Sequence, residues 1–158
     1  MEDAFRASIG HQGLHRLYDY WYELKARKLE PPQRSSFDPL RIGPFLSSLI
    51  INEVLHGEAA DGGARFRIRL EGDDVVRARG YSAKGHYLDE PGVLLLNPDA
   101  TISEYRQVVS SGEPSYSAGR FQHAQQRYGR MYRLVLPFAG KEHPGRVDFL
   151  FVDFRFEI

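Results

Sequence analysis

Two histidines and two adjacent aspartates are the first residues in this sequence whose types and spacing could do chemistry. His11 and His15 lie four residues apart, a spacing that puts both imidazoles on one face of a helix, where they can bind a metal ion. No third ligand accompanies them, so we favour two histidines on a solvated helix face. Asp73 and Asp74 could form an acid–base pair, but adjacent side chains point in different directions. Capping of a short helix already explains them.

A row of three arginines alternates with apolar residues in the segment 65–70. Strict alternation is typical of a half-buried β-strand, with all three guanidinium groups on one face. Such a row could hold a phosphate or a carboxylate, because guanidinium binds these groups bidentately. We favour a structural role, with Glu53 on the neighbouring strand as the partner across the sheet.

Composition excludes several classes of protein. The 158 residues predict one domain, and 21 Lys+Arg against 21 Asp+Glu give a net charge of zero, which argues against binding to nucleic acid or to an anionic membrane. There is no cysteine, so disulfides, Cys-ligated metals and thiolate nucleophiles are excluded. Motifs of hydrolases, P-loop proteins and metalloproteases are not found. The N-terminus does not resemble a signal peptide and no apolar stretch approaches the ~20 residues of a membrane span, so a cytoplasmic location is the default expectation.

The elements that position these residues follow from periodicity. Residues 1–34 predict a ragged leader and an amphipathic helix over 11–28, whose apolar residues recur at helical spacing before Pro31 and Pro32 end it. This helix must bury its apolar stripe, either across the outer face of a sheet or against its twin in a homodimer.

Residues 35–158 predict five strands and two further short helices. Strands are expected over 48–55, 65–70, 115–121, 130–138 and 147–156, and helices over 73–79 and from 97 to about 110. The last strand is apolar on both faces, so both faces should be covered. The order of strands and helices predicts an α+β domain: an antiparallel sheet with helices packed on one face.

Seven residues of the central segment resemble the PAS domains of the PAS_5 type, which occur mostly in alphaproteobacteria. They are Arg69, Leu70, Gly72, Gly80, Gly85, Leu88 and Asp89. The resemblance covers about 14–154, and this chain has Asp73 where members often carry Thr. It implies a PAS-like five-stranded antiparallel sheet with an extra N-terminal helix, in a bacterial sensory or signalling module without enzymatic activity. The missing cysteine excludes the cysteine–flavin adduct of photosensory relatives.

A ligand chamber beside the sheet is the expected site. Strand parity predicts an apolar lining of Phe66, Ile68, Val76, Tyr87, Tyr105, Val109, Leu134 and Phe149. Arg69 and His86 are the predicted polar anchors. We considered a heme iron bound by His86 and disfavour it, so no cofactor is predicted and the small-molecule ligand is unknown.

The expected output is protein–protein signalling. The chain carries no kinase, cyclase or DNA-binding segment of its own, so a kinase or cyclase partner, or a homodimer formed through the N-terminal helix or the outer sheet face, would pass the signal on. Two alternatives remain open. One is a dimerisation or scaffold module with a filled core; the other, less favoured, is a small enzyme on a cupped sheet, which needs a buried acid of raised pKa.

Overall fold

Five antiparallel strands form the centre of the protein. The computed structural model describes residues 3–26, 29–94, 97–122 and 128–157. The strands are β1 (Leu49–Leu55), β2 (Arg65–Glu71), β3 (Ser115–Gln122), β4 (Tyr128–Ala139) and β5 (Val147–Glu157). They lie in the order β2-β1-β5-β4-β3, so the last strand of the chain is central in the sheet. This position explains why its sequence is apolar on both faces.

Four α-helices and four short 3-10 turns complete the described part of the chain. The helices are α1 (Ala4–Ser8), α2 (His15–Lys25), α3 (Asp73–Arg79) and α4 (Pro98–Ser111), and the 3-10 turns span 12–14, 34–36, 39–41 and 43–48. The leader predicted to be ragged contains α1, which Asp3 caps by accepting hydrogen bonds from Phe5 N and Arg6 N. The amphipathic helix is shorter than predicted because its first turn is 3-10 and it ends at Lys25, before Ala26, whose φ is 51°. Lys28, the predicted end, lies outside the described residues. Among the helices described, none is both long and apolar enough to cross a membrane.

The sheet separates two hydrophobic cores. The inner core lies between the sheet and helices α3 and α4, and contains Ile68, Val75, Tyr105, Leu150 and Val152. The outer core lies between the sheet and the N-terminal segment. It holds side chains of α2 and of the sheet: Leu17, Tyr18, Trp21, Leu134, Phe138 and Phe151. Helix α2 therefore lies across the outer face of its own sheet, which is one of the two predicted arrangements.

The connection from β2 into α3 depends on close backbone packing at Gly72. A Cβ atom at this position would lie 2.2 Å from the carbonyl oxygen of Ser47. Gly72 itself occupies the N-cap position, so the predicted capping by Asp73 or Asp74 is wrong. Both aspartates lie in the first turn, and Asp74 accepts a hydrogen bond from Ser47 Oγ at 2.8 Å. Gly80 ends α3 with a φ of 100°, as its glycine character predicts.

Candidate functional site

A small closed cavity within the inner core is the candidate functional site, and we call it the inner cavity. Its volume is about 20 Å³, roughly the space that one water molecule needs. Apolar side chains of β1, β2, α3 and the 88–94 segment make most of its wall, including Ile50, Ile68, Val75 and Leu88. Three polar side chains also reach it, and each is buried: Asn52, Arg79 and Arg133.

Asn52 lies on β1, where the alternation of the strand turns it toward the inner core beside Ile50 and Val54. Its Nδ2 donates to the carbonyl oxygen of Leu150 at 3.4 Å. Its Oδ1 is buried and has no hydrogen-bond partner among the described residues. An acceptor buried without a partner costs about 1–3 kcal/mol, so this atom is a point where a water or a ligand can bind with little competition.

Arg133 also faces the inner core, from β4, across from Phe154. Its Nη2 donates to Glu104 Oε2 at 3.0 Å and its Nη1 donates to Thr101 Oγ1 at 3.1 Å, so α4 neutralises the guanidinium. Its Nε is buried and lacks a partner within the described part of the chain. The inner cavity is thus bordered by one free acceptor and one free donor.

Tyr105 packs beside Arg133, whose guanidinium carbon lies 5.5 Å from the centre of the tyrosine ring. Burial raises the pKa of Tyr105 to about 12, although the positive charge of Arg133 opposes this shift. The hydroxyl of Tyr105 therefore stays protonated at neutral pH, and the cavity wall gains no further charge from it.

Arg79 fixes the irregular segment 80–94 that closes the cavity. Its Nε donates to the carbonyl oxygen of Val93 at 2.8 Å and its Nη1 to that of Tyr81 at 3.2 Å. Its guanidinium also forms an ion pair with Glu71, and both side chains are almost fully buried. Because Glu71 Oε2 accepts from Ala83 N at 2.8 Å, the same ion pair holds both ends of the segment.

The predicted lining residues divide between the two cores. Ile68 and Tyr105 line the inner cavity, while Phe66 packs edge-on against Tyr105 at 5.7 Å and Val109 packs at the margin of the inner core. Val76 is half-buried, and the neighbouring Val75 takes the position in the cavity wall. Whether any of these residues binds a ligand stays a prediction.

Leu134 and Phe149 belong to the outer core, so the prediction that they face the chamber is wrong. Alternation tells which residues share a face but not which face the helices cover. In β4 the inward residues are Met131, Arg133 and Val135. The arginine was missed because a charged residue in an apolar strand normally marks the solvated side.

The two predicted polar anchors lie on the surface rather than in the cavity. More than half of the Arg69 side chain is exposed, and its Nη1 contacts Glu53 Oε2 at 3.3 Å. His86 is equally exposed and lies 3.3 Å from Glu90. Tyr87 is half-buried outside the cavity, with the Arg65 guanidinium carbon 3.5 Å from its ring centre. The expectation that these groups reach a chamber is therefore wrong for the structure described.

The arginine row has the structural role that the sequence favoured. Arg67 Nη2 donates to Glu53 Oε2 at 2.7 Å, and the two residues are directly opposite each other in the register of β1 and β2. Arg65 pairs with Asp89 at 2.9 Å. The two histidines considered as metal ligands are half-buried rather than exposed, because His11 Nδ1 accepts from Gly13 N and His15 Nε2 contacts Ile9 O.

One buried acid was not anticipated from the sequence. Asp153 lies on the outer face of β5, where its Oδ1 accepts from Ser48 Oγ at 2.6 Å and from Arg155 Nη1 at 2.7 Å. Arg155 Nη2 in turn donates to the carbonyl oxygen of Gly13 at 2.8 Å. Burial raises the pKa of Asp153 to about 6, although Arg155 and Ser48 both lower it. We call these four residues the Asp153 cluster; it links the N-terminal segment to the centre of the sheet.

Comparison with known proteins gives the class of the fold. No family model matches the chain, and no curated protein matches it. Several solved structures do match the chain. The PAS domain from Bordetella pertussis BvgS matches with a TM-score of 0.54 at 14% identity, over 79% of this chain and 87% of that one. A variant of the protein RsLOV matches with a TM-score of 0.50 at 15% identity, over 78% of this chain and 68% of that one.

The protein therefore has a PAS fold. The predicted fold class, α+β with a five-stranded antiparallel sheet and helices on one face, is confirmed. The narrower assignment to the PAS_5 type stays a prediction, since no family model matches.

Proposed function

We propose that this protein is a non-enzymatic sensory module of the PAS_5 type, and that a small neutral molecule in the inner cavity sets its signalling state. The observation that supports this most is the pair of buried polar atoms without partners, Asn52 Oδ1 and Arg133 Nε. Native proteins leave few such atoms, because each costs stability unless a water or a ligand satisfies it.

The two atoms define the chemistry of the ligand. Asn52 Oδ1 requires a hydrogen-bond donor, and Arg133 Nε–H requires an acceptor. A hydroxyl group or a primary amide can satisfy either of them. An anion is disfavoured, because Glu104 already neutralises Arg133 and a further buried charge would be uncompensated.

Because the inner cavity is small, binding of a ligand to it requires a conformational change. Small-molecule sites usually measure about 300–1,000 Å³, whereas the closed cavity measures about 20 Å³. A ligand larger than water enters only if the segment 80–94 moves outward, and Arg79 is the group that holds this segment. The ligand thus binds the open form better than the closed form, which is the condition for shifting a conformational equilibrium.

The signal then passes through the sheet to its outer face. Leu150 and Val152 of β5 lie in the inner core while Phe151 of the same strand packs in the outer core with α2. A shift of β5 changes how α2 packs on the sheet. Helix α2 also exposes about half of the Tyr22 side chain to solvent. We infer that this helix contacts either a second copy of the chain or a kinase or cyclase in the bacterial cytoplasm.

Acetamide is a suitable first probe because it carries one donor and one acceptor group on a small neutral body. We expect acetamide to shift the side-chain amide resonance of Asn52 in a saturable manner and to raise the melting temperature, while acetate at equal ionic strength does neither. Asn52→Leu removes that resonance and should abolish the rise in melting temperature. Gln107→Leu, which likewise replaces a side-chain amide by leucine but on the exposed face of α4, should retain it.

The proposal fails if acetamide has no saturable effect on the wild type, or if Asn52→Leu responds as the wild type does. Native mass spectrometry of the purified protein gives a second reading, since a retained natural ligand would add a discrete mass.

A scaffold module without a ligand is the second candidate, and the small volume of the inner cavity favours it. It predicts no added mass, no response to any small probe, and a dimer whose stability depends only on surface residues. The enzyme alternative has weaker support: Asp153 is a buried acid of raised pKa, but it is 1% exposed and bonded to Ser48 and Arg155. Asp89 and His86 are exposed and lie outside the cavity.

A further inference from the structure

A second concave surface lies on the opposite side of the protein, between helices α1 and α2 and the residues just before β3. It is an open groove of about 380 Å³, and we call it the aromatic groove. Four of the described aromatic side chains line it: Phe5 and Tyr22, which are partly or largely exposed, and Tyr18 and Trp21, which are only 3% and 2% exposed beneath them and beneath Lys25. Tyr18 is central, with its ring centre 5.4 Å from that of Phe5, 5.9 Å from Trp21 and 6.1 Å from Tyr22.

The charges around the aromatic groove are unequal. Among the described residues of the groove, two are carboxylates, Asp3 and Glu113, and one is an ammonium group, that of Lys25. Burial raises the pKa of Asp3, but hydrogen bonds from Tyr18 and from the backbone N–H groups of Arg6 and Phe5 outweigh it and lower the pKa below its usual value. Asp3 is therefore ionised at neutral pH, and the groove attracts cations.

Lys25 shows where a cation sits. Its Nζ lies 5.2 Å from the centre of the Trp21 ring, within the distance at which an ammonium is attracted by an aromatic face. Lysine is long and flexible, and Lys25 occupies the last turn of α2. Its side chain can therefore move into solvent without disturbing the helix.

We propose that the aromatic groove binds a small quaternary ammonium compound over Trp21, and that Lys25 swings aside to admit it. Aromatic faces bind quaternary ammonium groups because these ions are large, weakly hydrated and carry no N–H donors that need partners. The carboxylates add a longer-range attraction without having to form hydrogen bonds. The site is separate from the inner cavity and does not depend on the function proposed for that cavity.

The single tryptophan of the chain makes the test direct, since all tryptophan fluorescence comes from Trp21. We expect choline chloride to change this fluorescence saturably in the millimolar range, while sodium chloride at equal ionic strength does not. The uncharged isostere 3,3-dimethylbutan-1-ol has the same shape without the positive charge. If it binds as well as choline, the groove is merely apolar and the proposal is wrong.

Variants of the groove sharpen the result. Lys25→Ala removes the internal competitor and should tighten choline binding roughly three- to tenfold, since a cation–π contact of ordinary strength is released. Tyr22→Leu keeps the apolar surface but removes a ring, and should weaken binding by a similar factor. Tyr81→Leu is the matched control, because Tyr81 is 46% exposed against 52% for Tyr22 and lies outside the groove.

Unchanged or weaker binding in Lys25→Ala, with a normal circular dichroism spectrum, would contradict the role of Lys25. A wild type and a Lys25→Ala variant that both fail to respond to choline would overturn the site itself.

Discussion

The two cores of this protein lie on opposite faces of one sheet but contain different kinds of side chain. The outer core is aromatic and dense: Phe151 lies 4.1 Å from Phe138 and 4.8 Å from Phe37, ring centre to ring centre. Its polar atoms are satisfied, as in Trp21, whose Nε1 donates to Pro137 O at 2.9 Å. The inner core is mainly aliphatic, yet it buries two guanidinium groups, those of Arg79 and Arg133.

We infer that the outer core serves mainly to hold the structure together, whereas the inner core can adapt to a bound molecule. Large rings interlock and bury much area with few hydrogen-bonding demands, so the outer core holds α2 firmly. Buried charges need several partners each: on the outer side Asp153 has Ser48 and Arg155, whereas on the inner side Arg133 Nε remains free among the described residues. Binding of a water or a ligand should therefore stabilise the inner core more than the outer core.

The largest expected effect comes from Gly72→Val, which acts where the inner helix α3 meets the backbone of the 43–48 turn. The added Cβ would lie 2.2 Å from Ser47 O and 2.4 Å from Ser47 C, and backbone atoms cannot move aside cheaply. We expect a loss of at least about 4 kcal/mol in the free energy of unfolding, or no folding at all.

Gly62→Ala is the control, since Gly62 has a φ of 84° and open space around it. Only backbone strain of about 1–2 kcal/mol should appear there. Thermal unfolding followed by circular dichroism measures both, and a melting temperature for Gly72→Val within a few degrees of the wild type would refute the packing argument.

Phe151→Ala tests the outer core by itself. Removing a fully buried ring should lower the free energy of unfolding by about 3–5 kcal/mol. Helix α2 should then pack less tightly on the sheet. Leu150→Ala, the next residue on the same strand, removes an equally buried side chain from the inner core. Trp21 fluorescence should shift to the red in Phe151→Ala but stay unchanged in folded Leu150→Ala, and the opposite pattern would show that the two cores are not independent.

The Asp153 cluster should make the outer side sensitive to pH. The pKa of Asp153 is raised from 3.8 to about 6 in the folded protein, mainly by burial. Folding then favours the protonated form, so the stabilisation from this group is complete below pH 3.8 and is lost as the pH rises through about 6.

The difference corresponds to roughly 3 kcal/mol at most. Asp153→Asn cannot titrate and keeps an acceptor for Ser48 and Arg155. Urea unfolding of both proteins at pH 4, 5, 6 and 7 isolates the contribution of Asp153, because all other groups titrate alike. We expect the wild type to lose stability relative to the variant with rising pH; parallel curves would mean that the pKa is not raised.

The smallest effects concern single polar groups, and here the two cores should respond with opposite sign. Asn52→Leu removes an unpartnered acceptor from the inner core and should leave stability unchanged or raise it by about 1 kcal/mol. Tyr20→Phe removes the hydroxyl that accepts from Asp38 N at 2.8 Å beside the outer core, and should lower stability by roughly 0.5–1.5 kcal/mol. If urea unfolding shows that both variants lose the same free energy of unfolding, the proposed difference between the two cores is wrong.

Much of the architecture could be read from local sequence. The alternation in 65–70 predicted β2 within one residue, and the apolar run of the last strand correctly indicated cover on both faces. Gly80 ended α3 as predicted, because a left-handed cap favours glycine wherever it occurs. These features depend on residues close together in the chain.

The candidate site was harder to predict. Leu134 and Phe149 were assigned to the wrong face, since a period of two residues is the same whichever side is called inward. Register shifts between Ile51 and Asn52 and between Phe138 and Ala139 complicate the parity further. The burial of Arg79 and Arg133 depends on Glu71 and Glu104, which only the folded chain brings to them.

The sequence by itself determined the strands, their turns and the need for two covering layers, because backbone propensity and hydrophobic periodicity act over a few residues. Tertiary structure alone decided which layer lies on which face, where α2 rests, and which polar atoms are left without partners. Those outcomes depend on contacts between distant segments, such as Trp21 with Pro137 and Arg155 with Gly13, and no local pattern encodes them.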